Sequence, residues 1–486
     1  MGQEIELKLV LSKDDIPQFR QHEVFSRYSS GSSTWSLSNR YFDTVDQALT
    51  QAGTALRIRC QGNKFIQTVK AGGSNIAGLH QRTEHEWLLE HDALDLSMIP
   101  SGLIPEHVNP AEIRQQFATD FERECWLLQL EDGTEVEVVL DQGEVKAGHQ
   151  RDPICEVELE LKRGQVSALF ELARQLGGDI PLVPSDISKA ERGYRLINNV
   201  TGACAKVPVV NADDTVEAAF AALLGFELES LQRQWEAFHF SQNWTHLYSF
   251  RSTLGNIRTH FLLFKDILPR PCLEIPLATL GWLEDKFNPM LNWWPACYAL
   301  SRQANDPPRT ASEALQQTKA RHALEQLQAL EQQPEFGSRL LSLSVWLHGQ
   351  QWRDHYDDDM HQRARIAISE SILEPLRHQC AALHLSECGG NASYWLERQP
   401  MVQGLNHLCR TLEGMLGCEL THMRNELNHI EDNLVELNAM DVVSRLGDWL
   451  QRLSFEEKQS VNSWARTQPV VMRNLNVLAQ KLANGI

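Results

Sequence analysis

Glu4, Glu6 and Lys8 alternate along the stretch Glu4-Ile5-Glu6-Leu7-Lys8, and alternation in a strand places all three on one face. Ile5, Leu7 and Leu9 take the other. The same device recurs in Arg57-Ile58-Arg59, in Arg82-Thr83-Glu84-His85-Glu86, in Glu135-Val136-Glu137 and in the run Glu156-Val157-Glu158-Leu159-Glu160-Leu161-Lys162. One exposed strand would turn its charges to water in any case. Recurrence with both signs points instead to a closed barrel with a polar lumen, a chamber for anions and for the metals that bind them. Clustered Lys and Arg suit a chain of phosphates, because a guanidinium grips two oxygens at once. Two carboxylates about 4 Å apart repel by roughly 4 kcal/mol at an effective dielectric near 20, so carboxylates sharing a lumen demand a cation between them. Hard oxygen ligands of this kind select Mg²⁺ or Mn²⁺.

The elements that carry these residues follow in order. A short helix is expected after the first strand, capped near Ser12 and running to about Gln21. Strands are expected over 35–43, 53–60, 64–70 and 80–89, the second and third as a hairpin across Gln61-Gly62-Asn63. Pro100, Pro105 and Pro110 punctuate two short helices placed at 92–98 and 110–119. A meander over 121–130, 134–141 and 144–148 turns at Asp132-Gly133 and Gln142-Gly143. A last strand covers 154–162 and a helix 165–176. Eight or so mostly antiparallel strands suffice to close a barrel. Residues 204–215 read as a linker, and from 216 the pattern changes to long amphipathic helices, with Phe250, Leu254, Ile257, Phe261, Leu262 and Phe264 at three and four spacing. The fold class is therefore multidomain, an antiparallel α+β barrel followed by an all-α helical bundle.

Composition sets limits on function. At 486 residues the chain is too long for one hydrophobic core. Its net charge of −19 argues against binding nucleic acid over its whole surface. Ten cysteines are scattered without a Cys-x-x-Cys pair or zinc-type spacing, which reads as reduced thiols in the cytoplasm. No run of eighteen apolar residues marks a membrane span. Neither Gly-rich nucleotide-binding loop occurs.

The first 200 residues resemble a CYTH domain of the triphosphate tunnel metalloenzyme superfamily. Its Glu-x-Glu-x-Lys signature is met by Glu4, Glu6 and Lys8. Further blocks match in order: Asn39-Arg40-Tyr41-Phe42-Asp43-Thr44, Ala55-Leu56-Arg57-Ile58-Arg59, Thr68-Val69-Lys70, then Arg82, Glu84 and Glu86, Leu140-Asp141, Glu156-Val157-Glu158, and Ser188-Lys189-Ala190-Glu191-Arg192-Gly193-Tyr194. The resemblance implies metal-dependent hydrolysis of a small triphosphate, inorganic tripolyphosphate first, in a domain spanning 1–203. The expected phosphate ligands are Lys8, Arg40, Arg57, Arg59, Lys70, Arg82, Arg123, Lys189 and Arg192. The expected metal ligands are Glu4, Glu6, Asp141, Glu156, Glu158 and Glu160, with Glu4, Glu6 and Lys8 central to catalysis. A CYTH-type adenylate cyclase, a thiamine or nucleoside triphosphatase, and a non-catalytic polyphosphate scaffold are the competing readings.

Residues 216–486 resemble a CHAD domain, the helical module found behind CYTH domains in bacterial two-domain inorganic triphosphatases, for which polyphosphate binding is proposed. Arg251 and Arg258 fit two arginines of its first repeat, and His361-Gln362-Arg363-Ala364-Arg365 lies where the second would fall. Tyr248 and Gly255-Asn256 replace basic residues of the motif. From 205 onward 25 Lys and Arg face 33 Asp and Glu, which is no basic stripe for polyphosphate. The cluster His355-Tyr356-Asp357-Asp358-Asp359-Met360-His361 reads as a solvated acidic loop before it reads as a metal site.

Overall fold

The computed structural model describes residues 2–76, 78–303 and 306–485. The chain divides into two compact units: Met1–Ala205 with Trp235–Gln242 and Glu331–Val345, and Lys206–Gln234 with Asn243–Leu330 and Trp346–Ile486.

Nine strands dominate the first unit: β1 (Gly2–Val10), β2 (Ser32–Asp43), β3 (Thr54–Gln61), β4 (Lys64–Ile76), β5 (Leu79–Leu89), β6 (Arg114–Gln129), β7 (Glu135–Ala147), β8 (Gln150–Arg163) and the short β9 (Val183–Pro184). Their order is β5-β4-β3-β2-β6-β7-β8-β1, and β1 pairs again with β5, so eight strands close into a barrel. Each pairing is antiparallel. Beyond the end of β5, β9 takes up the same edge of β1 through Leu9 and Val10.

Alternation divides the side chains. Leu7, Leu9, Trp126, Leu128, Val136, Val138, Val157 and Leu159 point outward, where they pack under the helices α1 (Ile16–Arg20), α2 (Glu23–Tyr28) and α4 (Ser167–Asp179). On the opposite wall α3 (Ala48–Gln51) and Val108 cover Leu56 and Val69. One end of the lumen is plugged by Leu37, Tyr41, Phe117, Phe121, Val145 and Ile154, against Tyr194 and Leu196 of α5 (Lys189–Asn198). Gly193 makes that fit possible: a Cβ there would stand 2.2 Å from the Phe117 ring.

Two expectations are corrected here. The helices placed at 92–98 and 110–119 are single 3₁₀ turns at Leu96–Met98 and Pro110–Glu112, and β6 begins at Arg114. Phe117, Thr119 and Phe121 are buried at alternate positions of β6, between β2 and β7, and this tertiary pairing overrides the helical punctuation of the prolines. Likewise β7 runs straight through Gln142-Gly143 rather than turning. Gly143 is there for close approach, since a Cβ would stand 2.1 Å from the Asp120 carbonyl oxygen.

The second unit is helical. Its main elements include α7 (Trp244–Leu263), α8 (Glu274–Leu291), Ala392–Leu416 and Cys418–Arg445. Phe220 lies at its centre, with ring centroids 5.2 Å from Phe264 and 5.3 Å from Trp352, while Trp346 and Trp352 are 4.9 Å apart. Both tryptophans are fully buried. Residues 358–382 form three short helices, at Asp358–Ala364, Ile368–Ser371 and Leu373–Ala382. Asp357 of the acidic cluster caps the first of them, accepting from Met360 N at 2.8 Å.

Candidate active site

The barrel encloses a cavity of about 190 Å³ lined by Glu4, Glu6, Lys8, Arg57, Arg59, Lys70, Arg82, Arg123, Glu158, Glu160 and Lys189, together with Tyr41, Thr68 and Phe121. Strand register explains the gathering. Glu4 faces Arg82 across the β1–β5 ladder, Glu6 faces Glu160 and Lys8 faces Glu158 across β1–β8, and directly opposed residues share a face.

At the plugged end the charges are matched. Lys189 Nζ lies 2.6 Å from Asp141, 2.5 Å from Glu156 and 2.9 Å from Glu158. Lys8 Nζ lies 3.4 Å from Glu156 and 3.3 Å from Glu158. Arg123 holds Asp141 bidentately at 2.7 and 2.6 Å and reaches Glu158 at 2.8 Å. Burial would lift both carboxylates, but Lys189, Lys8 and Arg123 hold Glu158 well below the usual carboxylate range, and Arg123 with Lys189 lowers Asp141. The same contacts raise Lys8 and Lys189 against the opposing effect of burial. The ligand oxygens of Asp141, Glu156 and Glu158 lie within 4.8 Å of one another, as a metal site would need, yet two ammonium groups already stand among them.

Toward the open end the matching fails, and that failure bears on chemistry. Glu4 pairs with Lys70 at 2.6 Å. Glu6, 9% exposed, has no ion pair among the described residues; burial first, and then Glu158, pushes its carboxyl up to about 7. Among the described residues Arg59 donates to Asn39 Oδ1 at 3.2 Å and to no carboxylate, and burial with the nearby Arg57 and Arg123 lowers its guanidinium to about 10. Arg82 likewise has no carboxylate partner among the described residues. A cavity lined both by a carboxylate without an ion pair and by guanidinium groups without a carboxylate partner among the described residues is complementary to a cation and an anion together. The residues present fit a divalent ion: Glu6, with Glu4, Glu158 and Glu160 around it, is an all-oxygen donor set.

Two expected ligands lie elsewhere. Arg40 opposes Ile58, which is turned away from the lumen, and its guanidinium donates to Asp92 on the outer face. It adjoins Tyr41, a lumen residue, and neighbours in a strand point to opposite faces. Arg192 binds Asp152 at 2.7 Å and approaches Glu156 at 3.5 Å from behind the floor; it does not line the cavity. Conversely, His80 was not anticipated. It opposes Glu6 in the β1–β5 ladder, is 1% exposed, and burial with Lys8 and Arg82 keeps its imidazole neutral. The alternation His80, Arg82, Glu84 carried the signal.

Residues 2–194 match the model of the CYTH domain. The barrel is a CYTH domain. A curated inorganic triphosphatase of Haemophilus influenzae is 34% identical over 200 residues, which are 40% of this chain and 55% of that protein. The chain thus spans about half the length of this curated relative. Among solved structures, a Hippeastrum adenylyl cyclase homologue described as having a dominant triphosphatase activity is 19% identical, with a TM-score of 0.31, over 39% of this chain and 96% of its own. A CHAD domain from Ricinus communis is 17% identical, with a TM-score of 0.43, over 58% of this chain and 96% of its own. Among the described residues no helix is long and apolar enough to cross a membrane.

Proposed function

We propose that the CYTH barrel hydrolyses inorganic tripolyphosphate with Mg²⁺ or Mn²⁺, residues 1–203 forming the catalytic domain and 216–486 a CHAD-like helical domain, in the cytoplasm. The observation that carries this is that one barrel cavity is lined by Glu6, which has no ion pair among the described residues, and by Arg59 and Arg82, which have no carboxylate partner among them. The Haemophilus relative supports the substrate class.

Arg57, Arg59, Arg82 and Lys70 would grip the phosphate chain from the β3, β4 and β5 walls, while Lys8, Arg123 and Lys189 meet it at the floor. A divalent ion held by Glu4, Glu6, Glu158 and Glu160 would offset phosphate charge and lower the pKa of an attacking water. The apolar plug beneath the floor closes the lumen at one end and orients the substrate along the axis. The neutral His80 keeps a hydrogen-bonding group beside Glu6 without adding a cation.

A second reading rests on the open end. Leu127 and Leu88, 46% and 67% exposed, oppose Glu137 and Ile66, so they stand on the lumen face at the rim. An apolar rim suits an organic group carried by a triphosphate, as in a thiamine or nucleoside triphosphatase or an adenylate cyclase. In the helical domain Arg258 is held bidentately by Glu284 at 2.7 and 2.8 Å, and Arg251 donates to Asn288 at 2.5 Å; we assign them no polyphosphate.

The test is phosphate release by the purified protein with Mg²⁺ or Mn²⁺, against an EDTA control, from tripolyphosphate, ATP, thiamine triphosphate and long-chain polyphosphate. Release from tripolyphosphate alone supports the main reading. Preference for an organic triphosphate moves it to the second, and binding without turnover leaves a scaffold.

A further inference from the structure

The barrel floor is set by a short connection. After β9 the chain passes through Ser185, Asp186 and Ile187 to Ser188, whose hydroxyl caps α5 by accepting from Glu191 N at 3.1 Å. Lys189, the first residue of α5, must bring one ammonium group within 2.9 Å of three carboxylates. Ser185 N donates to the Lys8 carbonyl at 3.0 Å, and His80 Nε2 stands 3.5 Å from the Ser185 carbonyl. This connection therefore touches the backbone of the signature strand and the imidazole opposite Glu6.

What holds the connection from outside is not part of the barrel sequence. Within the same compact unit, the Trp235–Gln242 end of the helix α6 (Val216–Ser241) presents Glu236. Its Oε1 accepts from Ser185 Oγ at 2.7 Å and from Asp186 N at 3.1 Å, and its Oε2 lies 3.9 Å from Arg195 Nη1 on α5. Ser185 and Asp186 are 2% and 0% exposed, so water does not replace these bonds when they are lost. Arg195 lies three residues beyond Arg192, one turn on in the helix that Lys189 begins.

We propose that Glu236 is a positioning residue for the tunnel: by clamping Ser185, Asp186 and Arg195 it fixes where α5 delivers Lys189 to the floor that the substrate meets. The proposal rests on the triphosphatase reading above. A small shift of a charged ligand costs affinity steeply, because phosphate grip depends on geometry held to about 0.5 Å.

The test is steady-state kinetics on tripolyphosphate in the full chain. Glu236→Ala raises KM about five- to tenfold with kcat within about twofold, as the loss of two hydrogen bonds at a binding group transmits. Glu236→Gln keeps an acceptor oxygen for Ser185 and Asp186 and returns KM to within about twofold of the parent. Ser185→Ala raises KM less than Glu236→Ala does, and the double variant Glu236→Ala/Ser185→Ala is no worse than Glu236→Ala alone. An unchanged KM in Glu236→Ala, full additivity, or Glu236→Gln as impaired as Glu236→Ala overturns the proposal. Should Glu236→Ala not fold, Ser185→Ala decides: a raised KM with kcat within about twofold supports the clamp, and an unchanged KM overturns it. Should the parent protein show no turnover, the triphosphatase reading fails by itself. Calorimetric binding of tripolyphosphate in EDTA then decides: weaker binding by Glu236→Ala supports the clamp, and equal binding overturns it.

Discussion

Lys189 Nζ stands 2.5 Å from Glu156 Oε1, on a side chain that enters the barrel from a helix and not from a strand. Lys189 is 7% exposed and Glu156 1%, so the contact is shielded from solvent and from salt. Asp141 and Glu158 share the same ammonium. The floor of the lumen is thus a carboxylate cluster with a built-in cation.

That relationship makes Lys189→Met costly. It would take one shared cation from three buried carboxylates, leaving Lys8 and Arg123 to hold them, and breaking a buried pair by removing one partner costs about 3–5 kcal/mol. The denaturant midpoint in EDTA should fall accordingly. Because the three ligand oxygens lie within 4.8 Å of one another, Mn²⁺ should restore part of the loss in Lys189→Met and do so more than in the parent. A variant as stable as the parent in EDTA would show that the cluster is not held by Lys189.

Glu6→Gln should lower hydrolysis by about 100-fold or more, the scale on which loss of a preorganised charge in a site is felt, while leaving the fold intact. Glu6 makes no ion pair among the described residues, and burial already disfavours its charged form. Replacing it with a neutral isostere therefore removes a repulsion from Glu158 instead of a stabilising contact. The thermal midpoint in EDTA should hold or rise; a marked fall would mean that Glu6 has a structural role.

The arginines separate by the face they occupy. Arg59→Ala and Arg82→Ala should each raise KM for tripolyphosphate about 10- to 100-fold, the worth of a charge-assisted hydrogen bond. Arg40→Ala should leave KM within about twofold, since its guanidinium lies outside with Asp92. Equal effects from Arg40 and Arg59 would contradict the placement of Arg40 on the outer wall.

The lumen was legible in the sequence because strand alternation is strict: Glu4-x-Glu6-x-Lys8 and Arg57-x-Arg59 needed only the face, which the apolar partners Ile5, Leu7 and Ile58 declare. Arg40 was misplaced because it sits inside a recognised block, Asn39 to Thr44, whose inward member is Tyr41. The floor was less legible. Lys189 acts there through α5, whose seating depends on Gly193 against Phe117 and on Glu236 from far along the chain. Such contacts are long-range, and no local period announces them. Pro110 and its neighbours misled for the opposite reason: their local signal is strong, yet it ends at Glu112, and the pairing of β6 with β2 and β7 decides the rest.

In the helical unit, His407 Nε2 and Glu227 Oε1 lie 2.7 Å apart, with Glu227 1% exposed. Burial opposes both charges, but the pair prevails: Glu227 raises His407 above its ordinary 6.5, and His407 lowers Glu227 below 4.5. His260, 4.0 Å from the same oxygen, goes the other way, since its burial outweighs Glu227 and lowers it. The sign follows from linkage. His407 binds its proton more tightly in the folded state, so its contribution is complete below about 6.5 and is lost as pH rises through its elevated value. Glu227 contributes above about 4.5 and loses its share as pH falls through its depressed value. The pair therefore stabilises most between about 4.5 and 6.5. Denaturant midpoints of the parent and of His407→Gln, measured from pH 4 to pH 9, should differ most in that window and converge at the alkaline end. A difference that is constant across the range would mean that His407 acts by packing on Phe226, whose ring stacks on it at 5.8 Å, and not by charge.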